Sequence, residues 1–192
     1  ITTDPLLGAL GNYGGFTQTI PLTTGSSAIN ATSSNCPATD QRGVPRSNPT
    51  CDIGAYEVFS LLAVPGGKTS GLCESWANAC ELRYALSTVA SGEEIWVAAG
   101  TYKPTDGTDR NATFQLKNGV ALYGGFAGTE MARTERNPAV HITILSGDID
   151  NNDTQTPVIT DLSTVEGNTT NSYHVVTGVT GARSETRIVT RT

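Results

Sequence analysis

Residues 94–102 read Glu94-Ile95-Trp96-Val97-Ala98-Ala99-Gly100-Thr101-Tyr102. Ile95, Trp96 and Val97 are bulky β-formers in a short apolar run, approached through Ser91-Gly92 and left through Gly100. A helical periodicity precedes this run, and short strand-like runs separated by Gly, Asn and Asp follow it. That arrangement predicts the first rung of a stack, where a capping helix hands over to strands.

The composition supports many short strands. Of 192 residues only 37% are hydrophobic and 6% aromatic, with 21 glycines, so the core is thin and built from small β-branched side chains. Such a profile suits tight turns between strands and excludes a helical bundle. The length allows one domain or two small ones. A net charge of −6 and a pI near 4.8 exclude nucleic-acid binding, because no basic patch exists to neutralise phosphates. Arg183, Arg187 and Arg191 are spaced as a solvated tail. No apolar run approaches the roughly 20 residues that span a bilayer. Ile1 begins in mid-pattern with no apolar leader, so the chain is read as a mature form or a piece of something longer.

Four cysteines fall in two close pairs, Cys36 with Cys51 and Cys73 with Cys80. Three connectivities are possible, and the short separations favour near-neighbour pairing; the bland alternative is four buried thiols. Neither pair has zinc spacing and no histidine lies close. Disulfides imply an oxidising compartment, hence an extracellular or cell-surface location.

Taken in order, residues 1–57 are turn-rich and irregular. A turn at Gly25-Ser26-Ser27-Ala28-Ile29 is expected to lead into a brief strand, and a final strand is expected over residues 52–57 with Ile53 and Tyr56 available for burial. The loop of residues 35–52 carries Pro37, Pro45 and Pro49, and a covalent tie there offsets its ordering cost. Residues 59–71 read as a linker stopped by Pro65-Gly66-Gly67. Trp76, Ala79, Cys80, Leu82, Arg83, Ala85, Leu86, Val89 and Ala90 then form a helical stripe, with Ser75 as N-cap and Gly92 as stop. Strands are expected over 95–98, 112–116, 120–123, 142–145 and 173–176. Their gaps range from the tight Lys117-Asn118-Gly119 turn to a long loop over 148–171. Short near-regular strands with unequal loops predict a β-solenoid; a sandwich would need longer alternating strands.

Two segments carry resemblances. Asp4-Pro5-Leu6-Leu7-Gly8, Gly14-Gly15, Ser27-Ala28-Ile29-Asn30, the Cys36 to Gly43 segment with its Asp40-Gln41-Arg42-Gly43, and Cys51-Asp52-Ile53-Gly54-Ala55-Tyr56-Glu57 resemble the choice-of-anchor Q module. That resemblance implies the C-terminal end of a bacterial surface protein built on a right-handed parallel β-helix; Asn30 departs from the usual Asp. Ser75-Trp76-Ala77-Asn78-Ala79-Cys80, residues 91–102, Tyr123-Gly124-Gly125-Phe126 and Leu145-Ser146-Gly147-Asp148-Ile149-Asp150 resemble the N-terminal cap and first rungs of a pectin-lyase-like β-helix. The order, a terminal module before an initial one, implies a junction between two β-helices in a larger protein. The alternative is one short solenoid with the helix wedged at an end.

Sites are sparser. Gly147-Asp148-Ile149-Asp150-Asn151-Asn152-Asp153 puts oxygens at alternate positions, a calcium-like arrangement of Asp148, Asp150, Asn152 and Asp153. It is not an EF-hand, because Asp153 and Ile159 replace the turn glycine and the closing Glu. The bland alternative is an acidic turn bonding its own backbone. Glu93 and Glu94 adjoin and so face opposite ways, a poor glycosidase pair. Arg110, Arg133 and Arg136 suit a lyase base only by type, no Gly-x-Ser-x-Gly elbow occurs, and His141 and His174 sit among apolar strand residues. No catalytic residue is assigned. Tyr13, Trp76, Trp96, Tyr102, Tyr123 and Phe126 offer stacking faces for sugars, although Trp76 and Trp96 are expected on core faces. Asn30, Asn111, Asn152 and Asn168 head Asn-x-Ser/Thr sequons that fit exposed loops.

The expectation is therefore a mainly β chain: a right-handed parallel β-helix fragment with one capping α-helix and an irregular β-rich N-terminal segment. Its parts are residues 1–58 (end module), 59–71 (linker), 72–180 (cap and first rungs) and 181–192 (tail). The favoured role is a non-catalytic segment of an extracellular adhesin-like surface protein. A carbohydrate-binding module, and a calcium-dependent polysaccharide lyase or glycoside hydrolase fragment, are the alternatives. Polysaccharide is the partner implied, and unpaired strand edges imply self-association.

Overall fold

A computed structural model describes residues 4–13, 15–23, 26–46, 50–90, 93–154, 166–178 and 183–184. Over these described residues the fold is mainly sheet with one α-helix, and its strands are short and parallel. β1 (Ser60–Lys68), β2 (Glu94–Ala98), β5 (Ala121–Phe126) and β8 (Arg183–Ser184) stack in that order. β3 (Gly100–Tyr102) pairs with β6 (Thr143–Leu145), and β4 (Phe114–Gln115) with β7 (Val176–Thr177). Leu61, Ile95 and Leu122 are in register, as are Leu62, Trp96 and Tyr123. Because side chains alternate along a strand, the first set points into the main cluster and the second to the opposite face, where Leu62 and Tyr123 are also buried and Trp96 is half-buried. Leu61, Ile95, Val97, Leu122, Tyr102, Phe114, Leu145 and Val175 fill one buried cluster with helix residues Leu82, Ala85 and Leu86.

The stretch expected to be a linker, 59–71, instead holds β1. Leu61, Leu62 and Ala63 are buried, and this burial outweighs the turn signal of Pro65-Gly66-Gly67. Those three residues are tolerated because the far side of β1 is closed by the Cys73–Cys80 segment rather than by a full strand. Leu62 N–H donates to the Cys73 carbonyl at 2.7 Å, Lys68 N–H to Ala79 at 3.0 Å, and Glu81 N–H to Lys68 at 2.9 Å. A Cβ on Gly67 would stand 2.3 Å from the Cys80 carbonyl carbon, so only glycine permits this approach. The β1 edge is thus covered.

The helix is shorter than its periodicity implies. Residues Trp76–Asn78 form a 3-10 turn, Ala79 is extended, and α1 runs over Leu82–Thr88 with Glu81 as N-cap. The bridges from Ala63 and Lys68 to Cys80 hold residues 79–80 extended and cut the stripe in two. Ser75 makes no side-chain cap bond; Gly92 and the tail beyond Ser184 lie outside the described residues. β3 was not anticipated. It follows a corner at Gly100, whose φ of +142° and 2.5 Å approach to Pro65 (from the position of an added Cβ) exclude a side chain.

Residues 4–57 contain no extended strand among those described. They are held by antiparallel bridges Leu7 with Leu22, Gly11 with Thr19, Thr32 with Cys51 and Thr39 with Pro45. The turn expected at residues 25–29 is present over 27–30 and is followed only by a single bridge at Thr32, while the strand expected over 52–57 is a bend, with Ile53 43% exposed and Tyr56 buried. Side chain-to-backbone bonds take the place of ladder bonds there. The disulfides are Cys36–Cys51 and Cys73–Cys80.

Candidate functional site

A charged cluster joins residues 4–58 to the strands. Asp40 Oδ1 accepts the N–H groups of Arg42 at 2.7 Å and Val44 at 3.1 Å, which fixes a tight turn. Asp40 Oδ2 accepts Arg42 Nε at 2.9 Å and the Glu57 N–H at 2.9 Å. The Arg42 guanidinium donates to the Glu57 carbonyl at 2.6 Å, reaches Glu93 at 3.4 Å, and lies 3.4 Å over the Tyr56 ring. Glu93 stands just before β2. It also accepts the Tyr56 hydroxyl at 2.5 Å and the Ala90 N–H at 2.9 Å. Nearby, Arg46 pairs with Glu57 at 2.7 Å, and Asp52 accepts the N–H groups of Asn30 at 2.7 Å and Val58 at 2.6 Å. Asp40, Arg42, Asp52, Glu57 and Glu93 are all buried. Planar guanidinium forks suit such desolvated carboxylates.

A cavity of about 350 Å³ opens beside this cluster, lined by Tyr13, Arg42, Phe59, Tyr84, Glu93 and Lys117 among others. Burial pushes the Glu93 carboxyl up against the opposing pull of Tyr56, the Ala90 N–H and Arg42. Burial pushes Tyr56 up and Lys117 down. Acid–base chemistry is nevertheless a poor fit. Glu93 is committed to three donors, and Lys117 donates to the Ser87 and Val89 carbonyls at 2.6 and 3.2 Å, where it caps the end of α1. Hydrolysis by paired carboxylates needs a second acid across a cleft, and Glu94 faces away to Trp96 Nε1 and Arg133.

A second groove, of about 460 Å³, runs between residues 44–46 and 58–62 on one side and Glu74, Ser75, Trp76, Trp96, Glu130 and Met131 on the other. Trp76 and Trp96, expected on core faces, are half-buried and line it. Trp96 stacks on buried Phe126 at 5.0 Å between ring centres, and Trp76 tilts against the same ring at 5.8 Å. The reason is register: Ile95 and Val97 take the inward positions of β2, which turns Trp96 outward. The indole N–H groups are fixed, Trp76 to the Glu130 carbonyl and Trp96 to Glu94, each at 2.9 Å. The groove therefore presents two rigid aromatic surfaces beside polar groups.

The other aromatic candidates are committed. Tyr102 is buried and bonds the Ala98 carbonyl at 2.9 Å, and Phe126 is fully buried. Tyr123 is covered by Arg133 and Arg136 at 4.7 and 5.1 Å. Tyr13 meets Tyr56 edge-on at 6.0 Å. Arg110 donates to the Asn171 carbonyl at 2.7 Å and lies over Tyr173.

The acidic turn divides in two. Asp150 and Asn152 are exposed and bond each other at 2.9 Å, and Asn152 Nδ2 reaches Thr170 at 2.9 Å. Asp148 is buried and accepts the Asn152 N–H at 3.1 Å, while Asp153 accepts Asn171 Nδ2 at 2.8 Å. Among the described residues no three His, Cys, Asp or Glu side chains gather as a metal site. Asn171 and Ser172, some twenty residues beyond the turn, were not flagged by spacing; only the folded loop brings them to it. Among the described residues no helix is long and apolar enough to cross a membrane, and two disulfides fit an oxidising compartment. The chain matches no protein-family model, no curated protein and no solved structure.

Proposed function

We propose that this chain is a non-catalytic segment of an extracellular, adhesin-like surface protein, in which the parallel stacks are the first turns of a right-handed β-helix. One observation carries the reading: after β1, the chain visits three parallel pairings in the order β2, β3, β4 and then again in the order β5, β6, β7. Such recurrence is what a solenoid requires. Residues 4–58 are then the end module of a preceding β-helix, welded to the next by Arg42 and Glu93.

Polysaccharide is the partner that fits the groove at Trp76 and Trp96, since indole faces stack on sugar rings and flanking polar groups meet hydroxyls. Glycan-array binding, together with polysaccharide turnover measured with and without chelator, tests this. Binding without turnover, abolished by Trp96→Ala, is the expected result; turnover of any polysaccharide overturns the non-catalytic reading. Association between chains belongs to the same reading. Among the described residues β6 and β7 each pair on one side only, at the end away from β1. Light scattering at high concentration is expected to show a dimer or larger stack, and a monomer would count against it.

A further inference from the structure

The turn at Gly147-Asp148-Ile149-Asp150 is closed by residues 166–172. Thr154 N–H donates to the Glu166 carbonyl at 3.0 Å, and Ser172 N–H to Gly147 at 2.9 Å. Gly167 is packed so tightly on Asn152 that an added Cβ would stand 2.3 Å from Asn152 Oδ1. Within this enclosure Asp153 Oδ1, Asn171 Oδ1 and Ser172 Oγ are buried and have no hydrogen-bond partner among the described residues. Asn171 and Ser172 are 3% and 4% exposed. Each such oxygen left unpaired is costly, and native structures carry only a few per hundred residues, so three in one loop call for an occupant.

Two of the three belong to side chains in contact, because Asn171 Nδ2 donates to the other oxygen of Asp153. The Asp153 and Asn171 oxygens can only accept, so they do not satisfy each other. Paired orphan acceptors are resolved by a water that donates to both or by a cation that both bind, and the carboxylate among them favours the cation. We infer that the loop binds calcium, with Asp153 Oδ1 and Asn171 Oδ1 as direct ligands. Ser172 Oγ and buried Asp148 lie on the two strands of chain that enclose it. Hard oxygen donors of mixed carboxylate, amide and hydroxyl type select calcium over softer metals. Asp150 and Asn152, prominent in the sequence pattern, lie outside the site.

Affinity is set low by the charges around it. Lys103 Nζ donates to the Ile149 carbonyl at 3.2 Å and Arg110 Nε to the Asn171 carbonyl at 2.7 Å, so two cations already serve this loop. With few carboxylates, binding falls in the range of about 10⁻⁴–10⁻³ M that extracellular modules use. The inference is independent of the sugar groove and of the β-helix reading.

The experiment is calcium titration of the chelator-treated chain, followed by calorimetry and by melting temperature, with magnesium as control. Calcium is expected to raise the melting temperature with a half-effect near 10⁻⁴–10⁻³ M, and magnesium to do so at least tenfold less well. Asp153→Asn, which keeps the side-chain shape, is expected to weaken calcium at least tenfold, and Asp150→Asn to leave it unchanged. The inference is overturned if calcium up to about 10 mM gives neither heat nor a melting shift. It is equally overturned if Asp153→Asn binds as the parent does, or if Asp150→Asn weakens binding as strongly. Should Asp153→Asn not fold, Asn171→Asp supplies the test: an added carboxylate at the site tightens calcium, and unchanged or weaker binding overturns the assignment.

Discussion

Replacing Arg42 by Met removes the group on which residues 4–58 and the strands converge. The guanidinium holds Asp40 at 2.8 and 2.9 Å, the Glu57 carbonyl at 2.6 Å and Glu93 at 3.4 Å, and it covers the Tyr56 ring at 3.4 Å. Its side chain is 2% exposed, Asp40's 0% and Glu93's 3%, so solvent gives little relief to the partners left behind. Removing one member of a buried pair costs about 3–5 kcal/mol, chiefly through the stranded carboxylate. Arg42→Met is therefore expected to lose about that much, read from urea unfolding followed by tryptophan fluorescence with both disulfides intact. Arg42→Lys keeps the charge but loses the fork, and is expected to fall between Met and parent. A double-mutant cycle with Glu93→Gln isolates the contact across the junction, with an expected coupling of about 0.5–3 kcal/mol. A loss below about 1 kcal/mol for Arg42→Met, in the range of exposed pairs, would refute the reasoning, as would zero coupling.

The same carboxylate gives a pH prediction. Burial raises the folded-state pKa of Glu93, so the folded chain holds the proton more tightly than the unfolded one. Stability from this group is then full below the unfolded value of about 4.3 and declines as pH rises towards the folded value. The cost of Glu93→Gln is expected to be largest in acid and to shrink as pH rises; a cost that grows with pH would contradict it. Gly67→Ala is expected to cost about 1–3 kcal/mol, by forcing Cys80 backbone away from β1. Gly178→Ala, where an added Cβ meets nothing within 4 Å among the described residues, is expected to be close to neutral, and equal effects in melting temperature would count against the packing at β1.

The strands of the stack were legible because each carries its own signal. Ile95 and Val97, Leu122 and Leu145 are apolar residues in short runs between turn formers, and all are buried. β1 was not, since Pro65-Gly66-Gly67 signals a stop in isolation and is rescued only by the Cys73–Cys80 segment lying against it. The helix was over-extended for the same reason: residues 76–80 have helical spacing, but Cys80 is held extended by β1. In residues 4–57 local pattern says little, because the order comes from Asp40, Arg42, Asp52 and Glu57 bonding to backbone far along the chain. At the sites, Trp76 and Trp96 were recognised as aromatics, but their outward direction depends on register. The acidic turn was legible as a pattern of oxygens; which of them face inward depends on Asn171 and Ser172, contributed by a segment after the loop.

Strand register is the claim on which the rest depends, because a slip of one residue would turn Trp96 inward and Ile95 outward. Nuclear Overhauser contacts in an isotope-labelled sample test it directly. Parallel contacts linking Trp96 to both Leu62 and Tyr123, and Thr101 to Ile144, are the expected result. An antiparallel pattern, or Trp96 paired with Leu61 or Leu122 instead, would contradict the account.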